Sequence, residues 1–341
     1  MDSGHMNSTP LRSPAAANRG QLIQLYSNSE GGFAFSSVSE RQVRQAAKCW
    51  AFALLACPLI AAAADPVATV TLLEGPAGLV RGVTRYTLAE GVRMQSGDII
   101  EVGDKGLAQI EFPDGGALAM GAGTRMLAIS LPRGKSAAGD FHVMAGALKV
   151  AGVSKAARLR ISTPVFTLQP AEGVFVMVVR GGEGSVFIES GAARLAAAPE
   201  TLSLRSGEFF TRKDGQKGAV APRPSQAFIA AMPKAFLDPL PSRMARYKER
   251  EAQPRRIEDV SYADVEAWLK APPAIRRPLV SRFQPRASNP AFRSGLIANL
   301  KFHPEWDPIL FPEKYEPKEP EADTASAARS DPAPGRPAGA K

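Results

Sequence analysis

Residues able to do covalent or acid–base chemistry are few and scattered in this 341-residue chain. The only thiols, Cys49 and Cys57, both lie in an uncharged run from Cys49 to Ala64. If that run is removed, the remaining chain can form no disulfide, thiolate nucleophile or thiolate metal site. His5, His142 and His303 stand far apart and form no ligand-spaced pair, so no metal and no cofactor is expected. Glu305 and Asp307 flank Trp306, but residues two apart do not face each other on a helix. A working carboxylate pair also needs one member in apolar surroundings that raise its pKa. The chain lacks a G-x-S-x-G elbow, a G-x-x-x-x-G-K phosphate loop and an H-E-x-x-H helix. The expectation is a protein that binds and does not catalyse. An envelope hydrolase is the third reading, and would require a pocket with converging carboxylates.

The binding chemistry on offer is cationic. The formal charge is +9, and between Pro241 and His303 thirteen Lys and Arg face six Asp and Glu. The densest part is Arg276, Arg277, Arg282, Arg286 and Arg293, near Phe283 and Trp306. These five arginines with Trp306 are the candidate partner-binding residues. A basic surface attracts polyanions over about 8 Å in physiological salt. The plainer alternative is a set of solvated helix faces carrying local ion pairs.

Position in the cell decides which anions count. Arg41, Arg44 and Lys48 precede the apolar run, and small residues at Ala62 and Ala64 close it before Asp65. Basic, apolar and small-residue parts in that order make a secretory signal peptide, cleaved after about Ala64. The run is shorter than the ~20 residues a membrane-spanning helix needs, and Pro58 would break such a helix. A periplasmic location follows as an expectation. Leu54-Leu55-Ala56-Cys57 also resembles a lipoprotein box, which makes Cys57 a minority site of acylation. Outside the cytosol the partners would be an envelope protein or an anionic cell-wall or lipopolysaccharide component. Nucleic acid, which aromatic-plus-basic spacing also suits, is not expected.

These groups must be positioned by two kinds of element. Short β-type runs alternate with glycine turns up to about Pro222. Ala108, Ile110 and Phe112 alternate with Gln109 and Glu111, which predicts a half-buried strand, and Asp114-Gly115 follows as a turn. Further strands are predicted at 141–145, 173–179, 185–188 and 208–211. Only three of thirty glycines, Gly295, Gly335 and Gly339, follow Pro222. There Ser261 with Asp264 predicts a capping box, with Val265, Trp268 and Leu269 on one helix face. Asn289-Pro290 opens a second helix carrying Phe292, Leu296 and Leu300, and Ile275, Leu279 and Phe283 predict another between them. The expected fold is a mainly β N-terminal domain, a short-strand coil, solenoid or jelly roll, with a smaller α-helical C-terminal part. The divisions are 1–42, disordered or a mis-assigned start; 43–64, signal peptide; 65–222, β domain; 223–316, basic helical domain; and 317–341, a disordered Pro/Ala-rich tail.

The β region resembles the FecR domain family of bacterial envelope proteins. The resemblance runs through G-V-R-M-Q-S-G-D-I-I-E-V from Gly91, G-L-A-Q-I-E-F-P-D-G-G-A-L-A-M from Gly106 and A-G-A-L-K-V from Ala145. It continues through I-S-T-P-V-F-T from Ile161, E-S-G-A-A-R-L from Glu189 and L-R-S-G-E-F-F from Leu204. Gly97, Asp98, Asp114, Gly115, Gly173, Gly191 and Gly207 are expected to make tight turns between short strands, and Thr163-Pro164 to open one. The late strand reads Gly173-Val174 where the family usually has Gly-Thr. The resemblance implies a periplasmic module that binds a ligand or partner, docking as a scaffold. In some members it implies the sensor half of an anti-sigma regulator linked to a transporter, which is the alternative reading. A low-complexity stretch precedes the apolar run where such regulators carry a helical cytoplasmic domain.

Overall fold

The strand at 107–111 shows how this chain departs from simple alternation. Ala108 and Ile110 point into the main core as expected, yet Gln109 and Glu111 are buried too, at 0% and 3% exposure. This strand, and several like it, is covered on both faces. The computed structural model describes residues 68–132, 138–153 and 158–316. The stretch 1–42, the leader 43–64 with both cysteines, and the tail 317–341 lie outside the described residues. No helix among the described residues is long and apolar enough to cross a membrane.

Among the described residues fifteen strands form one mixed sheet network. They are β1 (Thr69–Glu74), β2 (Ala77–Arg81), β3 (Thr84–Thr87), β4 (Ile99–Val102), β5 (Leu107–Glu111), β6 (Ala117–Met120), β7 (Arg125–Ser130) and β8 (Ala138–Val153). There follow β9 (Arg158–Ser162), β10 (Thr167–Arg180), β11 (Glu183–Ala197), β12 (Glu200–Arg205), β13 (Phe209–Lys213), β14 (Ala219–Ala221) and β15 (Arg255–Asp259). Neighbours run β14-β13-β11-β10-β9-β8-β7-β4-β2-β3-β15, with β12 on β11 and a branch β1-β5-β6 on β8. Among the ladders of the described residues only β8 with β9 is parallel.

Three strands are far longer than the short runs expected. β8, β10 and β11 have 16, 14 and 15 residues. They carry positive-φ glycines inside them, which bend a strand without ending it. Gly173 (φ 114°) and Gly191 (φ 83°) are paired across the β10–β11 hairpin. A Cβ on either would strike the opposite backbone, at Ser190 O or Glu172 O. Only glycine fits both the dihedral and the space, so these two are mid-strand bends, not turns between short strands.

Side chains of period two feed two different cores. Leu79, Ile100 and Met126 enter the main core inside the sheet. Their neighbours Val80, Ile99 and Leu127 point outward into a second core shared with the helices. The same alternation puts Leu118, Leu148 and Met177 inside, while Ala119, Ala147, Val176 and Val178 pack outward under Phe228 and Phe236.

The segment after Ala221 supplies both coverings. α1 (Gln226–Ala231) and the 3₁₀ turn Lys234–Phe236 cover one patch. An extended strap leads on to β15, and then α2 (Tyr262–Leu269), α3 (Pro273–Phe283), α4 (Pro290–Ala298) and α5 (Asp307–Leu310) cap the other. The start signals act as expected. Ser261 Oγ accepts from Asp264 N while the Asp264 carboxylate accepts from Ser261 N. Asn289 Oδ1 accepts from Phe292 N, with Pro290 at the first helical position. Trp268, Phe283, Phe292, Leu296 and Trp306 are then enclosed against the sheet, each contributing about 2–3 kcal/mol through burial. The chain is thus mainly β with a smaller helical part, and the two share a core.

Candidate partner-binding surface

Most of the arginines expected to face a partner are turned inward. Arg282 donates to the carbonyls of Val80, Gly82 and Gly97, three backbone acceptors on the sheet. Burial lowers its pKa to about 10, with the Asp98 carboxylate acting in the opposite sense. Arg286 donates to Val260 O and pairs with Asp259 at 3.1 Å. Arg276 takes Glu305 through two nitrogens and donates to Ala271 O. Arg293 donates to Leu310 O. Arg277 is the exception: its side chain is 70% exposed while it reaches Glu305 at 3.3 Å. Trp306 has no exposed surface at all, and an indole sealed in a core cannot contact a partner. It belongs to the packing of the cap. Guanidiniums beside unpaired carbonyls at strand and helix ends satisfy them at once, which is why these arginines staple instead of standing free.

The predicted turn residues meet one of these staples. Gly97 has φ 89°, and Asp98, 1% exposed, accepts from Arg81 at 2.7 and 2.9 Å and from Gln95 N at 2.8 Å. Arg282 seats on this same turn through Gly97 O. Asp114 accepts from Gly116 N beside Gly115 (φ 91°), and Gly207 (φ 87°) turns β12 into β13. Thr163 and Pro164 do not open a strand. They form the turn between β9 and β10, where Thr163 Oγ1 accepts from Val165 N and Phe166 N.

Two buried polar groups that the sequence reading missed hold the strap down. Glu111 accepts from Thr71 Oγ1 at 2.6 Å, Gln109 Nε2 at 3.0 Å, Ser242 Oγ at 3.1 Å, Arg243 N at 2.7 Å and Met244 N at 3.1 Å. Lys149, with a side chain only 3% exposed, pairs with Glu189 and donates to Phe236 O and Asp238 O. Charges so enclosed are retained only when fully hydrogen-bonded. A charged residue in an otherwise apolar strand was the available signal. For Glu111 the period-two alternation by itself predicts a solvent face.

Sites for chemistry are enclosed as well. His142 Nδ1 lies 2.9 Å from Ser162 Oγ, but that hydroxyl is spent on Phe141 O. The ring is 2% exposed, edge-on to Trp268. Burial, then Arg160, lowers its pKa to about 4. His303 lies 3.1 Å from Tyr262 Oη. Glu305 is held by Arg276 and Arg277, and Asp307 by Tyr315 and Lys314. Among the described residues no group of three or more His, Cys, Asp or Glu could hold a metal.

What remains open is sheet edge. β12, β14 and β15 each pair on one side only among the described residues. β14 is three residues long, and β15 is guarded by Arg255, Arg256, Glu258 and Asp259. β12 is less protected. Ser206 N donates to Gly191 O, which makes Ala192–Arg205 a wide pair of the ladder. By alternation Thr201 and Ser203 turn their N–H and C=O groups away from β11, while Glu208 takes Arg205 N at 2.8 Å.

Residues 98–194 match the family described as FecR protein, inside the stretch from Gly91 to Phe210 that carries the sequence resemblance. No curated protein matches the chain. Two crystal structures of a proposed anti-sigma factor from Parabacteroides distasonis are similar to it, each at TM-score 0.34, with 15% and 14% identity. The alignments cover 39% of this chain and 62% and 63% of theirs, so the chain spans less than two thirds of either structure.

Proposed function

We propose that this chain, whose residues 98–194 match the FecR family, is a non-catalytic regulatory module that binds a protein partner in the cell envelope. The family match carries this reading, and the open edge of β12 supplies the means. An extended partner segment can add to Thr201 and Ser203 as a further strand, main chain to main chain. The role is that of a periplasmic signalling element of the transporter-linked type, kept rigid by its strap and helical cap. Scaffolding on an anionic wall component is the second reading, favoured by the chain's basic charge.

The test is recovery of partners from envelope extract by the full chain and by Ser203→Pro. Proline there removes an outward N–H and spares the β11 ladder. One envelope protein should be enriched by the wild type, and at least about tenfold less by the variant. Recovery of no single protein, with salt-sensitive retention on cell-wall sacculi instead, overturns regulation in favour of scaffolding.

A further inference from the structure

One group of unpaired cations lies on the strap, outside the arginine cluster singled out in the sequence. Arg243, Arg246, Lys248 and Arg250 fall within eight residues, with Glu249 the one carboxylate among them. Their backbone is pinned. Glu111 holds Arg243 N and Met244 N, Arg93 donates to Tyr247 O and Lys248 O, and Tyr247 Oη donates to Glu90. Ala252 N then bonds Gly91 O. Yet none of the four cationic side chains has a hydrogen-bond or ion-pair partner among the described residues. Arg246, Lys248 and Arg250 are exposed.

The local geometry groups them. Arg246 N donates to Arg243 O in a 3₁₀ turn, and residues three apart in such a turn eclipse on one face. Both guanidiniums lie near the Tyr247 hydroxyl, where their charge works against the rise in its pKa caused chiefly by Glu90. Arg246, Tyr247 and Arg250 line an open groove. A fixed backbone carrying clustered like charges is repulsive when empty and becomes favourable once an anion arrives. Glu90 is already engaged by Tyr247 and by Leu73 N.

We propose that this groove is a second contact for the protein partner and takes an acidic peptide segment, with Arg246 and Arg250 gripping its carboxylates. The inference rests on the regulatory reading above. Guanidinium forks suit paired carboxylates, and Tyr247 offers a flat wall between them. A bilayer is the poorer fit, since no large apolar side chain is exposed between residues 241 and 256.

The full chain is titrated at low salt with a fluorescent octaglutamate peptide and, separately, with phosphatidylglycerol vesicles. The wild type should bind the peptide, more weakly as salt rises, and Arg246→Ala/Arg250→Ala should bind it at least about tenfold less tightly. Equal binding by the variant overturns the groove, as does wild-type binding to vesicles with none to the peptide. Arg277→Ala serves as the control exposed cation and should bind as the wild type does. In the partner-recovery experiment, full retention of the partner by the double variant sinks the groove alone. Recovery of no partner by either protein, with peptide binding intact, sinks the regulatory reading instead.

Discussion

The arginines of 276–293 and the cations of 243–250 look alike in the sequence and are opposites in the fold. The first group reaches backbone carbonyls and carboxylates within hydrogen-bond distance, as Arg282 does on Val80, Gly82 and Gly97. The second group sits on backbone that others hold, through Glu111 and Arg93, so its side chains have nothing left to satisfy. A cation's role is therefore set by whether it anchors its own segment or is carried by a segment anchored elsewhere. Charge density along the chain does not distinguish these cases. The partners of Arg282 are 185 to 202 residues away.

The hardest blow to this contrast would come at Arg282. Arg282→Ala leaves three carbonyls without their charged donor and loosens the seat of the cap on the Gly97–Asp98 turn. Charged hydrogen bonds of this kind are worth about 1.5 kcal/mol or more each, and partial solvation offsets some of that. The expected loss is about 3–4 kcal/mol in urea unfolding, together with weakened near-ultraviolet dichroism from Trp268 and Trp306. A loss under about 1 kcal/mol would show that packing alone seats the cap.

Acid should reach the cap through His142, slightly less strongly. Its folded pKa is about 4 against an ordinary value of 6.5, for burial first and Arg160 second; His303 is lowered in the same direction, again by burial first. Below pH 6.5 the unfolded chain takes up protons that the folded chain refuses. This contribution is thus complete above pH 6.5 and declines as pH falls toward 4, by about 3 kcal/mol for His142. Stability measured from pH 7 to pH 5 should decline, and the decline should shrink in His142→Asn. Identical slopes for the two proteins would place the acid sensitivity elsewhere.

Much of this architecture is written locally. The capping box at Ser261, the Asn289-Pro290 start and the glycine-rich β pieces each specify their element through near neighbours. The mainly β class and the FecR resemblance followed from them. The covering of the sheet's outer face did not, because it depends on contacts across 90 to 200 residues. Glu111 and Gln109 read as a solvent face by period two, and only the strap makes that face an interior. Gly173 and Gly191 read as separate turns, since nothing local says that they oppose each other in one hairpin. The free edge of β12 is likewise a property of the whole sheet's order.

The smallest expected effect is the sharpest check on the two classes of cation. Arg246→Ala and Arg250→Ala remove exposed side chains with no partner, from a backbone held by other residues. Each should change stability by no more than about 0.5 kcal/mol, and a slight gain is consistent with relief of like-charge repulsion. Arg286→Ala, equally basic in sequence, gives up Asp259 and Val260 O and should lose clearly more in the same urea titration. A loss of 2 kcal/mol or more at Arg246 would make the strap cations staples like those of the cap. The groove would then have no unsatisfied charge to offer a partner.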